Sequence, residues 1–317
     1  MERNTLTGAD VGTDADQHGI KPPGYRLPDA TRLGVVRLQV SDLTRSLAYY
    51  EGVIGLRSLQ RRDGIAVLGA SDGDRPVVEL HERPGARPVP RRGRLGLYHF
   101  AILLPDRPSL GRFVAHLSRI DAYAGMSDHL VSEAVYLTDP DGLGIEVYAD
   151  RPRSDWRYEG RQIAMSTMPL DTEELVRAGG EAPWSGMPNG TRIGHVHLYV
   201  ADLRAAEAFY HDALGLDKVV WGYPGALFLS AGGYHHHLGT NTWAAGATPA
   251  QDDEARLLEW EMILPDAESV GRVAKSMEQA GYTVERSSTG TVGVRDPWGT
   301  ALRVLPEATQ APPNVPV

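Results

Sequence analysis

The chain repeats itself at a distance of 160 residues, and this limits its fold more than any other feature. Val36-Arg37-Leu38-Gln39-Val40-Ser41-Asp42-Leu43 returns as Val196-His197-Leu198-Tyr199-Val200-Ala201-Asp202-Leu203. Leu103-Leu104-Pro105-Asp106 returns as Ile263-Leu264-Pro265-Asp266, and Asp139-Pro140-Asp141-Gly142 as Asp296-Pro297-Trp298-Gly299. A duplicated half must fold twice into the same local structure. Each half also contains its own echo. Residues 33–40 read as a strand, and Ser41-Asp42 as a helix N-cap before Leu43, Leu47 and Tyr50 at helical spacing. Residues 97–104 are again a strand, followed by a helix over 107–120. The simplest description is an α+β chain of four β-α-β-β-β modules, at about 31–90, 91–150, 190–250 and 253–307. Modules 1 and 2 form a first half over 31–150, and modules 3 and 4 a second half over 191–307.

The segments outside the modules break this pattern. Residues 1–30 are polar and rich in Gly and Asp, which predicts a flexible N-terminal segment or a surface strap. Residues 151–190 are a crossover linker with one short helical patch at Thr172–Ala178. Residues 308–317 are a tail. The loop over 83–94 is rich in Arg and Pro and reads as solvated rather than as a phosphate site.

Composition excludes several chemistries. The chain has no cysteine, which removes thiolate nucleophiles, disulfides, zinc–thiolate sites and iron–sulfur clusters. It contains no run of 18 apolar residues and no visible secretory signal. These features predict a cytoplasmic protein. A net charge of −9 argues against nucleic acid or an anionic membrane as partner.

The stretch 129–146 concentrates reactive groups: His129, Tyr136 and Glu146 around the turn Asp139-Pro140-Asp141-Gly142. The turn predicts two antiparallel strands over 134–137 and 145–147, which brings Tyr136 back beside Glu146. A surface hairpin with ordinary charges would share this local pattern.

Two segments carry a family likeness. GHVHLYVADLRAAEAFYHDALGL (194–216) and DPDGLGIEVY (139–148) resemble the vicinal oxygen chelate superfamily, which includes glyoxalase I, bleomycin-resistance proteins and extradiol ring-cleaving dioxygenases. The likeness covers 31–307 and implies two vicinal-oxygen-chelate domains with curved mixed sheets. A narrower signature runs His129, Val135-Tyr136, Asp139-Pro140-Asp141-Gly142, Glu146. It is similar to that of the extradiol dioxygenases, with Ser127 departing from the usual residue two before the His. GLYHFAILLPDR (96–107) and GGYHHHLGTNTW (232–243) look like the CatE-like catechol 2,3-dioxygenases.

The resemblance implies a non-haem Fe(II) site of two His and one carboxylate, with Mn(II) as an alternative metal. It also implies a catechol-type substrate and O2 as partners. In this superfamily, ligands fall at fixed module positions. Here the first-strand positions hold Val35, His99, His195 and Glu259, and the last-strand positions hold Glu146 and Arg303. Pairing modules 1+2 and 3+4 leaves neither half with His, His and Glu. Pairing 2+3 and 1+4 gives His99, Glu146 and His195 in one site, and Val35, Glu259 and Arg303 in a dead one. The crossed pairing is therefore expected. A competing set within the second half is His195, His237 and Glu259.

By the same resemblance, His129 matches a second-sphere acid–base residue and Tyr136 a hydrogen-bond donor to the substrate. Strand alternation puts His197 on the face of His195. Read as a strand, 234–238 puts His235 and His237 on one face and His236 on the other. His197, His235, His237 and Tyr148 are thus candidates to support the metal or the substrate. The pocket aromatics are to be sought among Tyr98, Tyr148, Trp221 and Trp243. Two other functions stay open: a glyoxalase-like metal-dependent lyase or isomerase, and a metal-free binder of the bleomycin-resistance type. A homo-oligomer is also left open.

Overall fold

The computed structural model describes residues 18–307. The tails expected over 1–17 and 308–317 lie outside the described residues. In chain order the strands are β1 (Arg32–Val40), β2 (Arg57–Arg62), β3 (Ile65–Gly69), β4 (Pro76–Glu82), β5 (Gly96–Leu103), β6 (Gly125–Asp128), β7 (Ser132–Thr138) and β8 (Gly144–Asp150). A small hairpin, β9 (Tyr158–Glu159) and β10 (Gln162–Ile163), sits in the crossover. The second half adds β11 (Arg192–Tyr199), β12 (Asp217–Val220), β13 (Ala226–Ser230), β14 (Leu238–Asn241), β15 (Arg256–Leu264), β16 (Glu285–Arg286), β17 (Val292–Arg295) and β18 (Ala301–Pro306). The helices are α1 (Leu43–Tyr49), α2 (Arg107–Arg119), α3 (Thr172–Ala178), α4 (Leu203–Glu207) and α5 (Ala267–Gln279).

The modules share a local cause of helix initiation. Asp42, Asp106, Asp202 and Asp266 each accept a hydrogen bond from the backbone N–H three residues on, at 2.7–2.9 Å. This satisfies one orphan donor of the first turn, which is why the Asp recurs in every module. In modules 1 and 3 the helix runs on into a wider π turn, Tyr50–Ile54 and Ala208–Ala213.

The sheets pair crosswise. One eight-stranded sheet has the order β16-β17-β18-β15-β1-β4-β3-β2, joining modules 1 and 4. The other has the order β12-β13-β14-β11-β5-β8-β7-β6, joining modules 2 and 3. Both are mixed: β1 is antiparallel to β15 and parallel to β4, and β5 is antiparallel to β11 and parallel to β8. The two modules of each sequence half are nevertheless tied to each other across the sheets. Tyr50 of module 1 donates its hydroxyl to Asp139 in the turn of module 2, at 3.2 Å. Tyr210 donates to Asp296 in the same way at 2.9 Å, joining modules 3 and 4. A shared core of Val36, Leu38, Phe100, Phe113, Phe209 and Trp260 lies beneath both sheets.

The segments outside the modules are built in. Residues 18–30, expected as a flexible segment or a strap, take the strap form. Ile20 bridges Lys218, Leu27 N–H donates to the Gly215 carbonyl, and Arg26 grips Asp217 through three hydrogen bonds. The crossover packs α3 against α2, where Gly111 faces Leu175 so closely that a Cβ would lie 2.1 Å from its carbonyl oxygen. The loop over 83–94, expected to be solvated, is clasped to module 4 by the pairs Arg87–Asp253 and Arg94–Glu254. Glu254 is buried there, so the two guanidiniums replace the water its carboxylate would otherwise need.

Candidate metal centre

Three neighbouring strands of the second sheet, β11, β5 and β8, each place one donor on the same face. Register fixes the arrangement: His197 lies opposite His99, His195 opposite Ala101, and Ala101 beside Glu146. Strand alternation then points His99, His195 and Glu146 to one point. His99 Nε2 is 3.0 Å and His195 Nε2 is 3.1 Å from Glu146 Oε2. All three donor atoms lie within 4.8 Å of one another, and all three residues are buried. His195 and Glu146, from modules 3 and 2, thus lie close enough to share one metal ion.

The donor set fits a metal. His99 Nε2 is buried with no hydrogen-bond partner, although Glu146 is close by. A buried imidazole nitrogen near an acceptor but out of line with it is what a shared third party between them requires. Two neutral imidazoles and one carboxylate form the facial set of non-haem iron sites. Burial holds the His99 imidazole below its ordinary pKa. Burial would raise the Glu146 carboxyl, but His195 and His99 outweigh it and hold it well below the usual range. Both groups are therefore in their metal-binding forms at neutral pH.

A glycine makes room for this cluster. At Gly194 a Cβ would lie 1.8 Å from the Tyr148 hydroxyl oxygen. Tyr148 lies behind His195, its hydroxyl hydrogen-bonded to that of Tyr234 at 2.6 Å. It therefore supports His195 from behind the cavity and does not line it.

The hairpin predicted around Asp139-Pro140-Asp141-Gly142 forms as β7 and β8, with Tyr136 directly opposite Glu146. Tyr136 donates its hydroxyl to His129 Nε2 at 2.5 Å, and His129 Nδ1 donates to the Ser166 carbonyl at 2.7 Å. The carbonyl accepts only, so the His129 proton sits on Nδ1 and Nε2 is the basic nitrogen. Burial, followed by the charge of Glu146, pushes the Tyr136 phenol well above its ordinary pKa, which keeps it a donor.

These groups line a cavity of about 240 Å³. Tyr98, Tyr223, Phe228 and Trp243 form aromatic walls, and residues 165–167 of the crossover form another side. Of the four aromatic candidates, Tyr98 and Trp243 line it, whereas Tyr148 and Trp221 do not. Among the described residues, neither Arg nor Lys lines it. His197 lines it. Trp243 N–H fixes Asn241 Oδ1, so Asn241 Nδ2 donates to His197 Nε2 at 3.0 Å. His197 is thereby neutral with its proton on Nδ1, and burial and the neighbouring His99 and His195 hold its pKa well down.

The histidine run needs a correction. Residues 234–237 are not a strand, because Gly232 and Gly233 both take positive φ (61° and 64°) and turn the chain before β14 begins at Leu238. Alternation therefore fails, and His236, rather than His235 or His237, reaches the cavity. Its ring centroid is 4.1 Å from that of His195. His235 bonds Asp150 at 2.8 Å and His236 Nδ1 at 2.8 Å, while His237 Nδ1 accepts from Ala231 N–H at 3.2 Å. His235 and His237 are thus supports behind the wall. A glycine pair just before a polar run was the one sequence signal that could have cancelled the strand reading.

The competing set of His195, His237 and Glu259 is not brought together. Glu259 lies in the other sheet, held by Arg37 at 2.8 Å and Arg303 at 2.9 Å. There Val35, Glu259 and Arg303 occupy the positions of His195, His99 and Glu146, and Arg37 that of His197. Arg37 also binds Glu261 at 2.7 Å and Glu79 at 3.3 Å. The duplicate of the metal position is filled by ion pairs.

Fold and site together define a duplicated-module protein with one intact two-histidine, one-carboxylate centre and one degenerate copy. The chain belongs to the Glyoxalase/Bleomycin resistance protein/Dioxygenase superfamily, whose family model matches residues 32–147 and 192–304. It is 46% identical over 272 residues to catechol-2,3-dioxygenase of Bacillus subtilis, covering 84% of this chain and 94% of that protein. It is 25% identical over 254 residues to 2,2',3-trihydroxybiphenyl dioxygenase of Sphingomonas paucimobilis, covering 76% of this chain and 74% of that one. Glyoxalase I from Zea mays shares the fold, with a TM-score of 0.51 at 17% identity over 87% of this chain and 92% of that chain.

Proposed function

We propose that this protein is a non-haem Fe(II)-dependent extradiol dioxygenase, cleaving a catechol-type ring beside its hydroxyls with O2. One observation carries the reading: the buried His99–Glu146–His195 cluster opens onto an aromatic cavity that also holds His129 and Tyr136. The 46% identity to a catechol-2,3-dioxygenase over most of both chains supports it. His99, His195 and Glu146 would hold the metal, which would bring the catechol and O2 together and activate them for reaction.

This chain's own residues do the rest. Tyr98, Phe228 and Trp243 clamp the ring by its faces and edges. Substrate binding turns the one Tyr136 hydroxyl proton, held on by burial, from His129 Nε2 to a substrate oxygen, which frees that nitrogen. His129 Nε2 receives a catechol proton and returns it to the departing oxygen, and the Ser166 carbonyl keeps the imidazole in the required tautomer. His236 lies on the His195 side of the cavity, buried and held neutral, and offers an uncharged imidazole for a hydrogen bond to the substrate. A cavity without Arg or Lys favours catechols bearing hydrogen or an uncharged substituent, because a ring carboxylate would lie buried without a counter-charge.

The test is metal analysis and oxygen uptake on the purified protein. One iron per chain, catechol-dependent O2 consumption and a yellow ring-opened product are expected, with a carboxylated catechol turned over far more slowly. Metal bound without O2 uptake would favour a lyase or isomerase, and no metal bound would favour a binder.

A further inference from the structure

The degenerate sheet has a cavity of its own. It measures about 780 Å³ and lies on the same face of its sheet as the metal centre does on the other, with Val35 and Arg37 in its lining. Five arginines line it, at 32, 37, 62, 75 and 192, against three glutamates, at 79, 261 and 307. The glutamates are all engaged: Glu79 and Glu261 by Arg37, and Glu307 by Arg32. Arg62, Arg75 and Arg192 make no side-chain hydrogen bond or ion pair among the described residues. They come from three separate elements, β2, the residue before β4, and the start of β11. Gathering three unpaired guanidiniums at one cavity raises their mutual repulsion, in a chain whose net charge is −9. The walls between them are apolar: Val35, Val67, Ile263 and Leu305.

We propose that this cavity is a second, metal-independent binding site for a small carboxylate with an apolar body. Arginine forks match carboxylates in pairs of parallel hydrogen bonds, and the apolar walls take the remainder of the molecule. The Arg37 network carries one net negative charge, and Arg32 and Glu307 cancel, so the three arginines unpaired among the described residues leave the cavity net positive and are the recognising groups. Two sources share this chemistry. Cleaving a catechol ring beside its hydroxyl yields an unsaturated carboxylate, and aromatic acids present a carboxylate on an intact ring.

The experiment titrates the full chain with muconate, standing for the ring-opened acid, and with benzoate, standing for the aromatic one, by calorimetry. At least one probe is expected to bind at one per chain, equally well with and without a chelator, and more weakly as salt is added. The tighter of the two identifies the source. Arg62→Gln combined with Arg75→Gln is expected to weaken binding by about tenfold or more, and Arg192→Gln alone to weaken it in the same direction. These side chains are exposed, so circular dichroism should show an unchanged fold. The proposal is overturned if neither probe saturates, if the double variant binds as tightly as the parent, or if chelation abolishes binding. It is also overturned if sedimentation shows a dimer that the arginine substitutions dissociate, because a second copy would then cover this face.

Discussion

The hydrogen bond between Tyr136 and His129 predicts that these residues act as one unit. At 2.5 Å, with the His129 tautomer fixed by Ser166, the phenol is, among the described residues, the side chain hydrogen-bonded to the basic nitrogen. His129→Ala removes the proton acceptor, a loss of about 10²–10⁴-fold in kcat for general base catalysis. Tyr136→Phe removes one hydrogen bond to a charged oxygen, about 1.5–3 kcal/mol, or roughly 10–100-fold. Independent residues would multiply to between about 10³ and 10⁶. Residues joined by a short bond do not multiply, because Tyr136 without its acceptor loses the orientation that makes it useful. The double variant should therefore fall no more than about tenfold below His129→Ala. The folding cost of Tyr136→Phe should be about 1 kcal/mol, one hydrogen bond at a partly buried site. The assay is initial-rate O2 uptake across the four proteins, with metal content measured on each. Neither residue is placed as a ligand, so metal content should be the same in all four proteins. Metal loss from His129→Ala, or full multiplication in the double variant, would refute the reasoning.

Three further outcomes follow from the geometry. Glu146→Gln keeps the shape but removes the only carboxylate of the cluster, so metal content should drop well below one per chain with a fold unchanged by circular dichroism. Gly194→Ala drives a methyl into Tyr148 and should cost about 1–3 kcal/mol in urea unfolding, lowering metal affinity with it, whereas the outward-facing Gly271→Ala should do neither. Acid should destabilise the protein through its buried neutral histidines. Burial lowers the His237 pKa to about 3, against about 6.5 when unfolded, so the unfolded state binds the extra proton between these values. Stability then falls as pH drops below 6.5, by about 2 kcal/mol for this residue at pH 5. His237→Gln should recover about that much of the difference between urea midpoints at pH 7 and pH 5, and an unchanged difference would show that His237 is not the source.

The sequence alone determined what short-range rules control. The 160-residue repeat, the four Asp caps and the Asp139-Pro140-Asp141-Gly142 hairpin are set within a few residues, so module content and the Tyr136–Glu146 register could be read directly. His99, Glu146 and His195 could be placed too, because the superfamily resemblance implies which module positions carry ligands and the repeat carries those positions from module to module. The crossed pairing followed only from asking which combination completes a site, since strands of all four modules carry the same apolar alternation. Tertiary structure decided what depends on distant partners. Two glycines at positive φ moved His236, and not His235 or His237, into the cavity. The crossover supplied the carbonyl that fixes His129, from a residue 37 positions away that no periodicity marks. Arg37 met three carboxylates from two other strands, closing one copy of the site while the same positions in the other sheet stayed open for a metal. Local backbone preference fixes which residues share a face, but only long-range packing fixes which faces meet.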